Sequence, residues 1–176
     1  MLKKEVERLV LLGVLERSNV SEWGSPAFAQ PKPETNQGYF IIDFINLNKQ
    51  LKCKPYQMSN INKILLKLEG FQYATSLDLN MRYYHIWLSK NASNLCIIII
   101  PWGEHCYRLL PIGITSSPET FQQEMNDLFH EFVIIRAYIE EILVLTMGYW
   151  RYHVQKLERS LSKMKQKWLK CNIKEN

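Results

Sequence analysis

At 176 residues and 20.9 kDa the chain is long enough to bury a real core as one domain or a two-lobed one. Lys and Arg number 22 against 17 Asp and Glu, giving +5 and a pI near 9.0, a balance that permits nucleic-acid binding without demonstrating it. Cys53, Cys96, Cys106 and Cys171 are scattered with no C-x-x-C pair, so neither a zinc site nor a disulfide framework is signalled and the thiols fit a cytosolic or nuclear compartment.

In chain order, residues 3–12 place Val6, Leu9 and Val10 on one helical face, with Gly13 as the stop. The apolar run 9–15 has charged flanks, lacks a signal-peptide cleavage pattern and is too short to span a bilayer, so a soluble chain is expected. S-E-W-G-S-P-A-F-A-Q-P-K-P turns at Ser25-Pro26 into an extended segment. The proline-rich stretch 31–33 and T-N-Q-G form a loop to a second strand at 39–44. Lys32, at the base of that loop, can reach a phosphate or be one more solvated lysine. Ile61, Ile64, Leu65 and Leu68 define a short amphipathic helix over 60–68, ended by Gly70.

T-S-L-D-L-N then presents Asp78 at the end of an apolar strand-like run. A strand at 85–88 follows M-R-Y-Y-H, and strands at 95–101 and 107–110 flank W-G-E-H as a hairpin. Residues 110–117 contain Pro111 and Gly113, a loop whose backbone can approach a substrate closely. Ser117 caps the next helix, with Pro118 in its first position and Glu119 in its first turn. Phe121, Met125, Leu128, Phe129 and Phe132 give that helix a core stripe. At the end of the chain, Val154, Leu157, Leu161, Met164 and Trp168 recur at heptad-like spacing. The opposite face bears Lys156, Arg159, Lys163, Lys165 and Lys167, a solvated face that could also meet a polynucleotide backbone.

Residues 134–146, I-I-R-A-Y-I-E-E-I-L-V-L-T, organise the rest. Strand-forming residues on both sides of Glu140 and Glu141 predict a tight hairpin carrying the acids at its turn. Alone, such a pair reads as the acidic turn of a surface hairpin. Burying two neighbouring like charges is costly unless a cation neutralises them. Asp78, at the end of another strand, supplies a third carboxylate, and acids from neighbouring strand ends make an oxygen-ligand site for Mg²⁺. Two such ions clamp the attacking and leaving oxygens of a phosphoryl transfer.

Taken together, W-G-S-P at 23–26, Lys32, D-F-I-N-L-N-K at 43–49, L-D-L-N at 77–80, L-P-I-G at 110–113, S-P-E-T-F-Q at 117–122, R-A-Y-I-E-E-I-L-V-L-T at 136–146 and L-K-C-N at 169–172 resemble the fingers and palm of a reverse transcriptase of the gypsy-type LTR retrotransposon group. Nearly the whole chain is covered. The resemblance implies an α+β fold, a right-hand polymerase palm with an antiparallel sheet backed by helices plus partial fingers. Residues 1–75 and 86–113 would contribute fingers, and 76–85 and 114–176 mainly palm, with thumb and RNase H regions expected to be absent.

It further implies template-directed DNA synthesis on an RNA or DNA template–primer from deoxynucleoside triphosphates, with two Mg²⁺ (or Mn²⁺) ions. Asp78, Glu140 and Glu141 would be the catalytic acids, and Asp78, Glu140 and the Leu79 backbone would bind metal. Tyr83 would exclude a ribose 2′-hydroxyl, Lys32 would steady the triphosphate, and Ile112 and Gly113 would line the nucleotide and template pocket. Leu79 belongs to the same nucleotide site. The family also implies a parent polyprotein with RNase H and integrase. With neither a signal peptide nor a transmembrane segment read in the sequence, an intracellular, cytoplasmic or nuclear place is expected.

Four departures from the family pattern, at five positions, bear on activity. Glu140-Glu141 stands for Asp-Asp, Tyr39 for an arginine facing the triphosphate, Ile45 for a second arginine, and Arg82 for a small residue beside the sugar. Each glutamate adds a methylene, and a misplacement of about 1 Å at a reacting centre costs roughly 10²-fold in rate. Together they point to impaired catalysis. A rival reading is a non-catalytic nucleic-acid-binding module using the basic cleft with Trp23 and Tyr83. A nucleotidyl cyclase on a palm-like fold matches the three acids but not W-G-S-P or S-P-E-T-F-Q.

Overall fold

The computed structural model describes residues 2–19, 23–31, 38–52, 70–80, 83–167 and 169–172, of which Pro31, Gly38, Tyr39 and Asn172 are described by their backbone alone. Lys32, Arg82, Trp168 and the helix expected over 60–68 therefore lie outside the described residues, as does the loop over 32–37. The chain packs as two compact units, Met1–Cys53 with Ile86–Ser117 and Lys54–His85 with Pro118–Asn176. Mixed helix and antiparallel-dominated sheet is the α+β architecture expected from the sequence. No helix among the described residues is long and apolar enough to cross a membrane.

In the first unit, α1 (Leu2–Leu11) buries Val6 and Leu9, while Val10 stays exposed. Gly13, at φ +70°, ends it: its N–H donates to Val10 O, and the Val14 N–H donates back to Leu9 O. These bonds satisfy orphan carbonyls of the last turn. A five-stranded sheet follows, with β1 (Leu15–Ser18), β2 (Ser25–Pro31), β3 (Gly38–Ile42), β5 (Ile97–Ile100) and β6 (Gly103–Tyr107) in the order β1-β6-β5-β2-β3. Only β2 and β5 run parallel, through Ser25↔Ile98 and Pro26↔Ile99. Ser25-Pro26 is thus the start of a strand and not the expected turn; proline is tolerated at a strand's first residues because little of the ladder needs its missing N–H.

The hairpin around W-G-E-H is tighter than expected. Pro101 and Trp102 alone form its turn, and Gly103, Glu104 and His105 belong to β6. The strand expected at 85–88 reduces to a single bridge, Trp87↔Leu109. Helix α2 (Ile45–Gln50) follows Phe44, and α3 (Lys90–Leu95) follows Ser89, whose hydroxyl accepts from the Ala92 N–H at 3.3 Å.

The second unit has a four-stranded antiparallel sheet ordered β7-β8-β4-β9, from β4 (Tyr73–Asn80), β7 (Ile135–Tyr138), β8 (Glu141–Thr146) and β9 (Lys170–Asn172). Helix α4 (Ser117–Phe129) begins in the first unit and buries Phe121, Met125, Leu128 and Phe129, the expected stripe. Phe132 lies beyond the helix and packs edge-on against Phe129. Ser117 is the first helical residue, and its buried hydroxyl donates to Pro111 O at 2.8 Å instead of capping the helix.

Helix α5 (Trp150–Gln166) buries His153, Ser160 and Met164, a face rotated from the expected apolar stripe, of which Val154, Leu157 and Leu161 are half-buried. His153 causes the difference. One ring nitrogen pairs with the Thr146 hydroxyl at 2.7 Å on β8 and the other with the Thr75 hydroxyl at 2.8 Å on β4. The ring also lies among Tyr73 and Trp150. A polar side chain can be buried when both its nitrogens are satisfied.

Burial lowers the His153 pKa below its ordinary 6.5. The unfolded chain takes up a proton below pH 6.5 that the folded chain does not, so stability is full above that pH and is lost as pH falls toward the lowered folded value. His105, lowered by burial and by Arg17, acts in the same direction. Urea titrations should show the unfolding midpoint dropping from pH 7 to pH 5. The slope should be shallower in His153→Phe, which should itself cost about 1–3 kcal/mol at pH 7 by leaving two threonine hydroxyls without their partner. An equal slope in both proteins would show that His153 does not carry the effect.

Candidate functional site

In the second unit, residues of β4 alternate between two faces. Leu77 and Leu79 are buried, whereas Ala74, Ser76 and Asn80 are exposed and Asp78 half-exposed on the other side. On β8 the same alternation buries Ile142 and Val144 and leaves Glu141 exposed. The register Asp78↔Glu141 and Leu77↔Ile142 brings like faces together, so both carboxylates rise from the open face of the sheet.

The Leu79 N–H donates to Glu140 O at 2.8 Å, which makes Asp78 and Glu141 a non-hydrogen-bonded pair. Such pairs hold their Cα atoms only about 4.5 Å apart, with side chains closer than elsewhere in the ladder. Like charges placed directly opposite each other destabilise a sheet pair. The second carboxylate of the acidic doublet, Glu140, sits in the turn one residue away.

That turn is the expected tight hairpin, with only Ile139 and Glu140 between Tyr138 and Glu141. Ile139 has φ +50° and is the one non-glycine with positive φ among the described residues. Positive φ at the first of two turn residues is the II′ pattern, whose strongly preferred residue there is glycine. A β-branched residue in that region stores about 1–3 kcal/mol, and such strain clusters at functional sites.

Gln122, on α4, meets this turn. Its side chain is 2 % exposed; Oε1 accepts from the Ile139 N–H at 2.7 Å and Nε2 donates to Ala137 O at 2.9 Å and to Asn126 Oδ1 at 3.0 Å. The neighbouring Phe121 is wholly buried and takes the Tyr83 ring edge-on at 5.3 Å, leaving Tyr83 6 % exposed. Neither Gln122 nor Ile139 carried a role in the sequence reading. A glutamine among Phe121 and Met125 in the core stripe was the available signal.

In the first unit, Gly113 has φ +100°, and a Cβ there would come within 3.4 Å of the Phe44 ring. Asn48 clamps the loop: its Nδ2 donates to Gly113 O at 2.8 Å and its Oδ1 accepts from the Thr115 N–H at 2.9 Å. The motifs D-F-I-N-L-N-K and L-P-I-G are thus one local structure, with Ile112 52 % exposed at its tip.

Hard carboxylate oxygens suit Mg²⁺ or Mn²⁺ in kind, and a cation would offset the close Asp78–Glu141 pair. Among the described residues, however, no group of three or more His, Cys, Asp or Glu is arranged to hold a metal ion. The fit therefore rests on the cross-strand pair, with Glu140 adjacent in sequence.

The family model described as reverse transcriptase (RNA-dependent DNA polymerase) matches residues 27–175. A putative enzymatic polyprotein of Cassava vein mosaic virus is 29 % identical over 165 residues, 88 % of this chain and 25 % of that protein. The retrovirus-related Pol polyprotein from transposon gypsy of Drosophila melanogaster is 26 % identical over 149 residues, 81 % of this chain and 14 % of that one. The chain therefore spans a quarter or less of these two relatives' length. The foamy viral protease-reverse transcriptase, solved in complex with double-stranded DNA, superposes with a TM-score of 0.85 at 21 % identity over 97 % of this chain and 30 % of that one, which establishes the fold. With the family model covering most of its length, the chain belongs to the reverse transcriptase (RNA-dependent DNA polymerase) family.

Proposed function

We propose that the chain is the fingers–palm part of a gypsy-type RNA-directed DNA polymerase, built for template-directed DNA synthesis and impaired in this copy. Residues 1–75 and 86–113 would contribute fingers, and 76–85 and 114–176 mainly palm. The observation that carries the reading is the close Asp78–Glu141 pair beside the strained Ile139-Glu140 turn. Asp78, Glu140 and Glu141, with the Leu79 backbone, would hold two divalent cations, which supply charge neutralisation to the attacking and leaving oxygens of phosphoryl transfer. Tyr83, braced by Phe121, would stand against the 2′-hydroxyl of an incoming ribonucleotide. Lys32, Ile112 and Gly113 would bind the nucleotide, with an RNA or DNA template–primer as partner.

The impairment follows from side-chain chemistry. Glutamates at 140 and 141 push the carboxylates about 1 Å further from the backbone than aspartates would, enough to cost roughly 10²-fold. Tyr39 removes a cation that would face the triphosphate, Ile45 removes a second arginine, and Arg82 is long where a small residue suits the sugar. A binding module without catalysis is the alternative, favoured by the same substitutions.

A first experiment needs no nucleic acid. Glu141→Gln removes one of two opposed like charges and should stabilise the metal-free chain by about 0.2–1 kcal/mol. Millimolar Mg²⁺ should raise the melting temperature of the native chain and leave the variant unmoved. An equal Mg²⁺ shift in both would place the ion elsewhere.

The second is primer extension, with the thumb of a related enzyme fused after Asn172 so that grip on the duplex is not limiting. The native sequence should extend poorly with Mg²⁺. Glu140→Asp with Glu141→Asp, then Tyr39→Arg, then Arg82→Gly should give strongly non-additive gains, largest in combination, because these groups act as one unit. Equal extension by native and repaired fusions would show that the glutamates form a working site. A repaired fusion that shifts primer–template without lengthening it would favour the binding module.

A further inference from the structure

We propose that Gln122 is a positioning residue for the acidic hairpin: its side-chain amide holds the Ile139-Glu140 turn in its strained conformation and so sets where Glu140 and Glu141 stand relative to Asp78. The inference rests on the carboxylate reading above, and names a residue outside the acids themselves.

The geometry is specific. One amide group brackets the turn from both sides, accepting from the N–H of the strained residue and donating to the carbonyl two residues earlier. The second Nε2 hydrogen is committed to Asn126, one helical turn on, so the amide cannot rotate without losing three bonds. Gln122 is almost fully buried, where a half-satisfied amide is costly and a satisfied one is rigid. Strand pairing supports the turn only up to Tyr138↔Glu141 on one side. On the other, the Leu79 N–H holds Glu140 O, so the turn is pinned by β4 and by α4.

Ile139 gives the arrangement its purpose. A β-branched residue at φ +50° tends to relax toward negative φ, and that relaxation would swing the peptide joining it to Glu140. The bond from the Ile139 N–H to Gln122 opposes it. Glycine at this position would need no such restraint. Latch and strain are therefore coupled, and the coupling can be measured.

The test is a double-mutant cycle of Gln122→Met, which keeps the volume and removes the bonds, with Ile139→Gly, which removes the strain. Amide hydrogen exchange and backbone chemical shifts are read on the 176-residue chain without metal. In Gln122→Met, exchange at Ile139 should rise roughly tenfold and the shifts of residues 139–141 should move, while Val144 in the β8 ladder stays protected. In the Ile139→Gly background the same substitution should move the 140–141 shifts far less. Unchanged signals at 139–141, or changes as large in both backgrounds, would overturn the proposal. If Gln122→Met does not fold, Gln122→Asn, one methylene short of both partners, takes its place with the same expectations.

Titration with Mn²⁺, followed by water-proton relaxation, separates this proposal from the reading beneath it. The native chain should bind Mn²⁺, Asp78→Asn should abolish that binding, and Gln122→Met should weaken it about 10- to 100-fold, with recovery in the Ile139→Gly background. Binding that survives Asp78→Asn, or no binding at all, would defeat the carboxylate site, while the metal-free cycle still decides the latch. Local changes in exchange with unaltered Mn²⁺ affinity would reduce Gln122 to a structural part of the core and overturn its positioning role.

Discussion

The register between β4 and β8 is the constraint on which the second unit depends. Side chains alternate along a strand with a period of two, so a slip of one residue would turn Asp78 toward the face that buries Leu77 and Leu79. An unpaired carboxylate there would cost several kcal/mol. Six residue pairs, from Tyr73↔Thr146 to Asp78↔Glu141, hold the register, and it is fixed at both ends. His153 joins Thr75 and Thr146 at one end, and the Leu79 N–H bonds Glu140 O at the other. The acids are thus placed by hydrophobic alternation and a buried histidine some way from them.

Helix α4 serves the same end from one side of the hairpin. Successive residues on it do different work: Phe121 packs against Tyr83, and Gln122 bonds the turn. Both are almost completely buried, so any tilt of the helix would displace both contacts together. The first unit solves a parallel problem by other means. There Asn48 holds a glycine loop by its backbone, and no strain has to be restrained because glycine accepts φ +100° freely.

What could be read from sequence follows the same physics. The hairpin at 134–146 was legible because strand-forming residues run on both sides of its acids, and the helix from 117 because its apolar residues repeat with a period of 3.6 over enough length. Ser25-Pro26 was misread because proline usually marks a turn, and only the parallel pairing with β5 shows that it opens a strand. The six residues of α3 carry no apolar period, and Ser89 identifies them only once its hydroxyl is seen at the cap. On α5 the apolar stripe misled, since the residues most deeply buried include His153 and Ser160. Asp78, Glu140 and Glu141 stood out as charges beside apolar runs. Gln122 appeared only as the last residue of S-P-E-T-F-Q, without a role, because its bonds are tertiary, to residues 15 and 17 positions away.

The two glutamates are not equivalent departures, and their positions explain why. Glu141 is the first residue of β8, locked in a close cross-strand pair, so its extra methylene has only side-chain torsions through which to be accommodated. Its backbone cannot retreat without breaking the bond from Leu79 N–H to Glu140 O. Glu140 lies in the turn, where φ and ψ could in principle adjust for a longer side chain. Yet the turn is held by Gln122 on one side and by that same Leu79 bond on the other. Bonds on both sides of the turn therefore limit how far its backbone can move to accommodate the longer side chains. On the proposed reading, the rigidity that would make the aspartate site work is what makes the added methylenes costly here.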